Sequence, residues 1–320
     1  MHNEPIRIEL PTIFGMKTVN AWLFLEPEPV LIDCGEKTDV AWEALNEALE
    51  IHGITIKDIK KVIITHAHLD HMGLANQITK HSDATIYLNE YAADWALDLE
   101  MMMERRGTAF HSVIIKNVSP QFIDVAFSQM KFNFKELSPY WEGIPKERVK
   151  IFPMEGTMNF GGADWDIIYA PGHCINQTCF HNAESGFLIS ADMLLSLTPT
   201  PILDAAVEAP YEVVKSLKMH LESYKILQKL KITKVFPGHY EAFDNAQETI
   251  SNQIERIHFR KEHCFQLIKE GKHTFMELIP LIYPNRVSPL TFCMVIGFLD
   301  LLLDEGRINA EMKNDCLHYF

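Results

Sequence analysis

The feature that most constrains this chain is the run Thr65-His-Ala-His-Leu-Asp-His-Met-Gly73, reached directly from the apolar segment Lys61–Thr65. Four groups able to bind a metal, His66, His68, Asp70 and His71, fall within six residues. Alternate residues of an extended segment point the same way, so His66 and His68 can share one target. A turn after them returns Asp70 and His71 to the same volume. Imidazole and carboxylate together suit zinc, iron or manganese.

Further ligands recur wherever a strand pattern gives way to a loop. Gly172-His173 follows the strand pattern Trp165–Ala170, Asp192 follows Gly186–Ser190, and Pro237-Gly238-His239 follows Lys234–Phe236. That placement gathers side chains at one edge of a sheet sandwich. With the first cluster they make a set of five histidines and two aspartates.

Other short strands are expected at Ile6–Leu10, Val19–Leu25, Val30–Asp33, Ala84–Leu88, Val149–Phe152 and Thr178–His181. Val40–His52 has helical apolar spacing, and Tyr211–Leu230 reads as another helix. Between about 91 and 148 the pattern turns helical, with Met101, Met102 and Met103 and apolar positions at Phe122, Val125, Phe127, Met130, Phe132, Phe134 and Trp141. Methionine and phenylalanine line adaptable apolar pockets, so a cap over the site is expected, either enclosing an acyl chain or simply packing onto the sandwich. Beyond about 245 the chain is helical again, with helices at Thr274–Ile282 and Ser288–Glu305 and a short hairpin over Arg307–Phe320.

These motifs resemble the metallo-β-lactamase-fold hydrolase superfamily, an α/β fold built as an αββα sandwich around a two-metal site. The resemblance covers about residues 6–244 and runs through Asp33 in Leu31-Ile-Asp-Cys-Gly35, the His66–His71 cluster, His173, Asp192 and His239. It implies one metal held by His66, His68 and His173, and a second held by Asp70, His71 and His239, with Asp192 bridging. Asp33 would buttress the site without binding metal. The implied cofactors are two divalent ions, zinc foremost, with iron or manganese as alternatives. Such a pair acidifies water and polarises a carbonyl or phosphoryl oxygen, and Asp70 would orient the attacking hydroxide or take its proton. Three positions depart from the commonest family pattern: Leu74 for a second glycine, Ile175-Asn176 for Pro-Gly, and Ala191 for the glycine before the bridging aspartate. All three reshape the rim and spare the ligands.

Within the superfamily, β-lactamases generally lack the bridging aspartate, and oxygen-reducing di-iron members typically carry glutamate where His68 stands. Nucleases usually need a basic exosite or a large domain between the last two motifs, which here lie only 47 residues apart. The resemblance thus implies a metal-bridged hydroxide attacking a small ester, thioester or lactone. The alternatives are a nuclease or phosphodiesterase, and a non-catalytic nucleic-acid or partner-binding protein with a structural metal. The tail at 245–320 resembles the winged-helix appendage of the glyoxalase II, lactonase and lactamase-beta-2-like branch. The expected division is 1–244 catalytic and 245–320 winged-helix-like.

Charge bears on the partners. The 320 residues carry 43 acidic against 29 basic side chains, a net of −14, which repels phosphate backbones and anionic headgroups. Residues 245–320 hold 8 Lys/Arg against 10 Asp/Glu, without the basic stripe that DNA contacts require. The expected partner is a small-molecule substrate, with no nucleic acid and no membrane. The C-terminal region would pack on the catalytic domain or join a homodimer. Met1–Glu9 lacks the apolar core of a secretory signal, and Phe292–Leu303 is broken by Asp300 and too short to span a bilayer. Six scattered cysteines without CxxC spacing read as reduced, buried thiols of a cytoplasmic protein.

Overall fold

The structure, a computed structural model, describes residues 4–13, 16–122, 138–197, 199, 201–208, 210–284, 286 and 288–320. Among them, strands β1 (Ile6–Pro11), β2 (Thr18–Phe24), β3 (Val30–Ile32), β4 (Lys61–Ile63), β5 (Thr85–Asn89) and β6 (Val149–Phe152) form one sheet in sequence order. A second sheet has the order β11 (Lys234–Pro237), β10 (Phe187–Ala191), β9 (Thr178–Asn182), β8 (Ala163–Tyr169) and β7 (Glu155–Phe160). Strands β3 to β6 pair in parallel, as do β10 and β11, and the other pairs are antiparallel.

The period of two along a strand decides the layers. On β2, Trp22 and Phe24 enter the core between the sheets, whereas Val19, Ala21 and Leu23 face outward. That outer face is covered by α1 (Asp39–Ile51), α3 (Ala75–His81) and α4 (Glu90–Leu97), through Ala41, Leu45, Ile78 and Trp95; the short α2 (Leu69–Met72) lies between the first two in sequence. On the second sheet, Phe180 and Ile189 point inward, while Cys179 and Leu188 meet Tyr224 and Leu227 of α6 (Ser216–Leu227) and Ile250 of α7 (Ala246–Lys269). The layers are therefore αββα, as expected.

One core lies outside this sandwich. Phe110, Val113 and Ile114 of α5 (Leu99–Asn117) pack with α7, α8 (Phe275–Ile282), α9 (Pro289–Asp304) and the hairpin β12 (Ala310–Lys313)–β13 (Cys316–Tyr319). Tyr319 donates its hydroxyl hydrogen to Asn117 Oδ1 at 2.6 Å, fastening the hairpin to the end of α5. Helix α5 and the C-terminal elements thus form one lobe from two distant segments.

Three sequence expectations change. The helix expected over Tyr211–Leu230 starts at Ser216, because Tyr211 takes φ +56° and Val213 bridges Ala205 in an isolated extended pair. The regular ladder of β4 stops at Ile63, and Thr65 turns its polar groups to Asp33 instead. Strand β7 has no counterpart in the sequence reading; it is an edge strand, mostly exposed, whose apolar signal is weak. Met102, Met103 and Trp141 are buried in the same core as the helical layer over the first sheet, so of the two roles expected for the 91–148 segment these three take the packing one. Val125, Phe127, Met130, Phe132, Phe134 and the Phe122 side chain lie outside the described residues. All six cysteines are free and buried, and no described helix is long and apolar enough to cross a membrane.

Candidate metal centre

The seven expected side chains meet at the carboxyl ends of the strands. Three ring nitrogens converge first. His68 Nδ1 lies 3.1 Å from His66 Nε2 and 2.8 Å from His173 Nε2. A neutral imidazole has one N–H, so His68 cannot donate to both neighbours. The spacing is close to the ~3.3 Å edge of a tetrahedron with zinc-length bonds to nitrogen.

Asp192 stands between this set and the next. Its Oδ2 is 3.5 Å from His173 Nε2 and 3.3 Å from His239 Nε2, and its Oδ1 is 3.5 Å from His71 Nε2. Asp70 Oδ2 lies 3.5 Å from His239 Nε2 and 3.9 Å from His71 Nε2. His66/His68/His173 and Asp70/His71/His239 are each compact enough to offer three atoms to one ion. His71 Nε2 is buried and makes no hydrogen bond among the described residues, an arrangement that a cation would relieve. The donor set therefore fits two divalent ions.

Three of the five imidazoles, His66, His71 and His239, are aimed by a partner on the other nitrogen, as metal-binding histidines commonly are. His71 Nδ1–H donates to Asp33 Oδ2 at 2.8 Å. The Thr65 hydroxyl also donates to Asp33 Oδ2, and its oxygen lies 3.0 Å from His66 Nδ1. With its hydrogen given to Asp33, that hydroxyl accepts from His66 and leaves Nε2 facing the site. Thr65 N–H donates to Asp33 Oδ1, so both Asp33 oxygens are committed beneath the site. His239 Nδ1–H donates to the Thr18 carbonyl at 2.6 Å. Asn20 Nδ2–H donates to the carbonyls of Pro237 and Tyr240, and Trp22 Nε1–H also donates to Pro237, so β2 clamps the loop bearing His239.

The His173 loop is held as completely. Asn176 Oδ1 accepts from Ala67 N–H, between His66 and His68, at 2.9 Å. Asn89 Nδ2–H donates to the Asn176 carbonyl, and Tyr169 donates to the Ile175 carbonyl. The Ile175-Asn176 departure thus ties two ligand segments together. Backbone conformation matters at three turns: Asp33, Ala191 and Tyr240 take φ of +57°, +44° and +69°, costly for residues with a Cβ and typical of functional sites. Gly238 is required by close approach, since a Cβ there would collide with Asp192 Oδ1 and His71.

Charge follows this geometry. Burial, reinforced by the neighbouring histidines, holds His66 well below the ordinary histidine value, and burial with His173 and Arg106 does the same for His68. Both are lone-pair donors at neutral pH. Burial also opposes charge on His71 and His239, but Asp192 foremost, with Asp70 and, for His71, Asp33, outweighs it and raises both. For Asp192, burial would favour protonation, yet His239 and His71 hold it well below the carboxylate range. Asp70, about one-fifth exposed, is the carboxylate of the site most open to solvent. Burial pushes the neighbouring Cys174 thiol up, which disfavours the thiolate a nucleophile needs.

Residues 15–239 match the family model of the metallo-beta-lactamase superfamily. The chain belongs to that superfamily. It is 26% identical over 321 residues to the probable metallo-hydrolase YqjP of Bacillus subtilis, spanning 99% of this chain and 97% of that protein. The thioesterase pkgB of Emericella nidulans is 21% identical over 239 residues, 75% of this chain and 50% of that one. A metallo-beta-lactamase family protein from Thermus thermophilus shares the fold, with a TM-score of 0.75 at 22% identity over 99% of this chain and 98% of that one. Like the superfamily, the chain is a metal-dependent hydrolase.

Proposed function

We propose that the seven side chains hold two divalent cations, zinc by preference, and that the enzyme cleaves small esters, thioesters or lactones. The observation that carries this reading is Asp192, whose Oδ2 lies within 3.5 Å of a ring nitrogen from each ligand set. His66, His68 and His173 would hold one ion, Asp70, His71 and His239 the other, with Asp192 shared. Bound there, the cations would acidify a water and polarise a carbonyl oxygen. The chain's own part is to aim the ligands and move the proton. Asp33, Thr65 and Thr18 fix the ring orientations. Asp70, open to solvent, accepts the proton of the attacking water and returns it to the leaving oxygen or sulfur.

The likeness to a thioesterase supports acyl transfer to water, and the −14 balance disfavours polyanionic substrates. On this reading residues 1–244 carry the chemistry. Residues 245–320 form a winged-helix-like appendage of three helices and a hairpin, with Thr274 bridging His318 as its third short extended element. Six reduced thiols suit the cytoplasm. The test is a panel of esters, thioesters, lactones and phosphodiesters presented to zinc-loaded protein. Turnover confined to acyl substrates is expected; turnover of phosphodiesters alone would overturn the assignment.

A further inference from the structure

The first ligand set rests on a clip that the sheet does not supply. Ile202 N–H donates to the His173 carbonyl at 3.3 Å, and Ile175 N–H donates to Asp204 Oδ2 at 2.9 Å. The short segment 202–205 therefore grips both sides of the turn that presents His173. That clip is itself held by the second lobe. Leu203 N–H donates to Cys293 Sγ of α9 at 3.4 Å, and Arg106 of α5 reaches the Leu203 carbonyl at 3.4 Å. Arg106 Nε lies 4.0 Å from Asp204 Oδ1, with both residues buried, and the rings of Trp95 and Phe110 flank the guanidinium at 5.8 and 5.6 Å. Neither residue belongs to a family motif found in the sequence.

We propose that Arg106 and Asp204 are positioning residues that couple the α5/C-terminal lobe to His173, so that this lobe sets the affinity of the first metal set alone. Asp204 satisfies the amides of Ile175 and Ala205, and the buried Arg106 guanidinium lies 4.0 Å from the same carboxylate, holding it in place. The second set takes its described supports from elsewhere. His71 is aimed by Asp33, and His239 by Thr18, both at the first sheet. Losing the clip would free His173 to drift from the point where His66 and His68 converge, and removing supporting contacts of this kind weakens metal binding.

The inference rests on the two-metal reading and is tested apart from activity. Metal-free protein is titrated with Co²⁺ against a competing chelator and followed by visible absorption, with His68→Ala marking which step belongs to the first set. Asp204→Asn should weaken that step about tenfold and leave the other within about twofold. Arg106→Lys, which keeps the charge, should retain most of the affinity. Should Asp204→Asn fail to fold, Arg106→Met with Asp204→Asn removes both charges together and should show the same selective loss. Equal weakening of both steps, or unchanged steps beside a lowered melting temperature, would overturn the coupling. No cobalt bound by the unaltered chain would overturn the two-metal reading, and this inference with it.

Discussion

In the sandwich, neighbouring residues of one strand serve two different cores: Trp22 faces the inter-sheet core and Leu23 the helical layer. In the second lobe, one core is assembled from α5 and from elements more than a hundred residues further along, α7 to β13. The two regions also divide the candidate centre. The sheets orient His66, His71 and His239 through Thr65, Asp33 and Thr18, whereas the lobe reaches His173 through Asp204. Local patterning builds the first region, and long-range packing builds the second.

Removing residues 245–320 breaks that comparison most severely. It would expose Phe110, Val113, Ile114, Leu203 and Leu217, each worth roughly 1.5–3 kcal/mol on burial, against a total stability of about 5–15 kcal/mol. The fragment 1–244 is expected to lose its cooperative thermal transition and precipitate. A soluble, two-metal fragment with full activity would mean the lobes are independent.

His220 lies on α6, which touches both regions. It is fully buried, neither ring nitrogen has a hydrogen-bond partner among the described residues, and burial, then His173, pushes it down to about 3. The unfolded chain titrates near 6.5 and so binds more protons between those values. Its contribution is therefore complete above about pH 6.5 and lost as pH falls toward 3. In metal-free protein, His220→Leu should reduce the stability lost between pH 7 and pH 4 by about 3 kcal/mol. Urea unfolding at the two pH values measures it, and equal losses in both proteins would refute it.

Asp33→Asn sharpens the division of the centre. It removes a charged acceptor from His71, and the affinity of the second set should fall about 10- to 100-fold, with a smaller change in the first. Chelator competition decides the order, and a larger loss at the first set would reverse it.

The smallest effect lies inside the lobe. Burial raises Asp300 to about 6, with Lys215 opposing and Asp304 adding to the shift. The folded chain then binds more protons than the unfolded one, and stability is lost as pH rises from about 4 to 6. Asp300→Asn should gain on the order of 1 kcal/mol at pH 7.5 and nothing at pH 3.5, read from melting curves.

The sandwich was legible in the sequence because its signals are local. Period-two alternation marked β1 and β8, an apolar run marked β2, and each ligand followed a strand pattern directly. The supports were harder to see. The acceptor for His239 is a backbone carbonyl at Thr18, which no side chain announces. Asn176 meets Ala67 across 109 residues, and Asp204 acts on Ile175 from a segment that carries no motif. The methionines of α5 matched either a pocket or a core, and their packing into the core of the helical layer was decided by tertiary neighbours. The same distance hid the union of α5 with the C-terminal helices behind a plain change of texture near 245.

The candidate centre depends on Asp192 serving both ligand sets, and metal content tests that most directly. Elemental analysis of the unaltered chain, prepared without chelator beside Asp192→Ala, should find two ions per chain in the first and about one in the second, retained by His66, His68 and His173. One ion or none in the unaltered chain, or two in the variant, would contradict it.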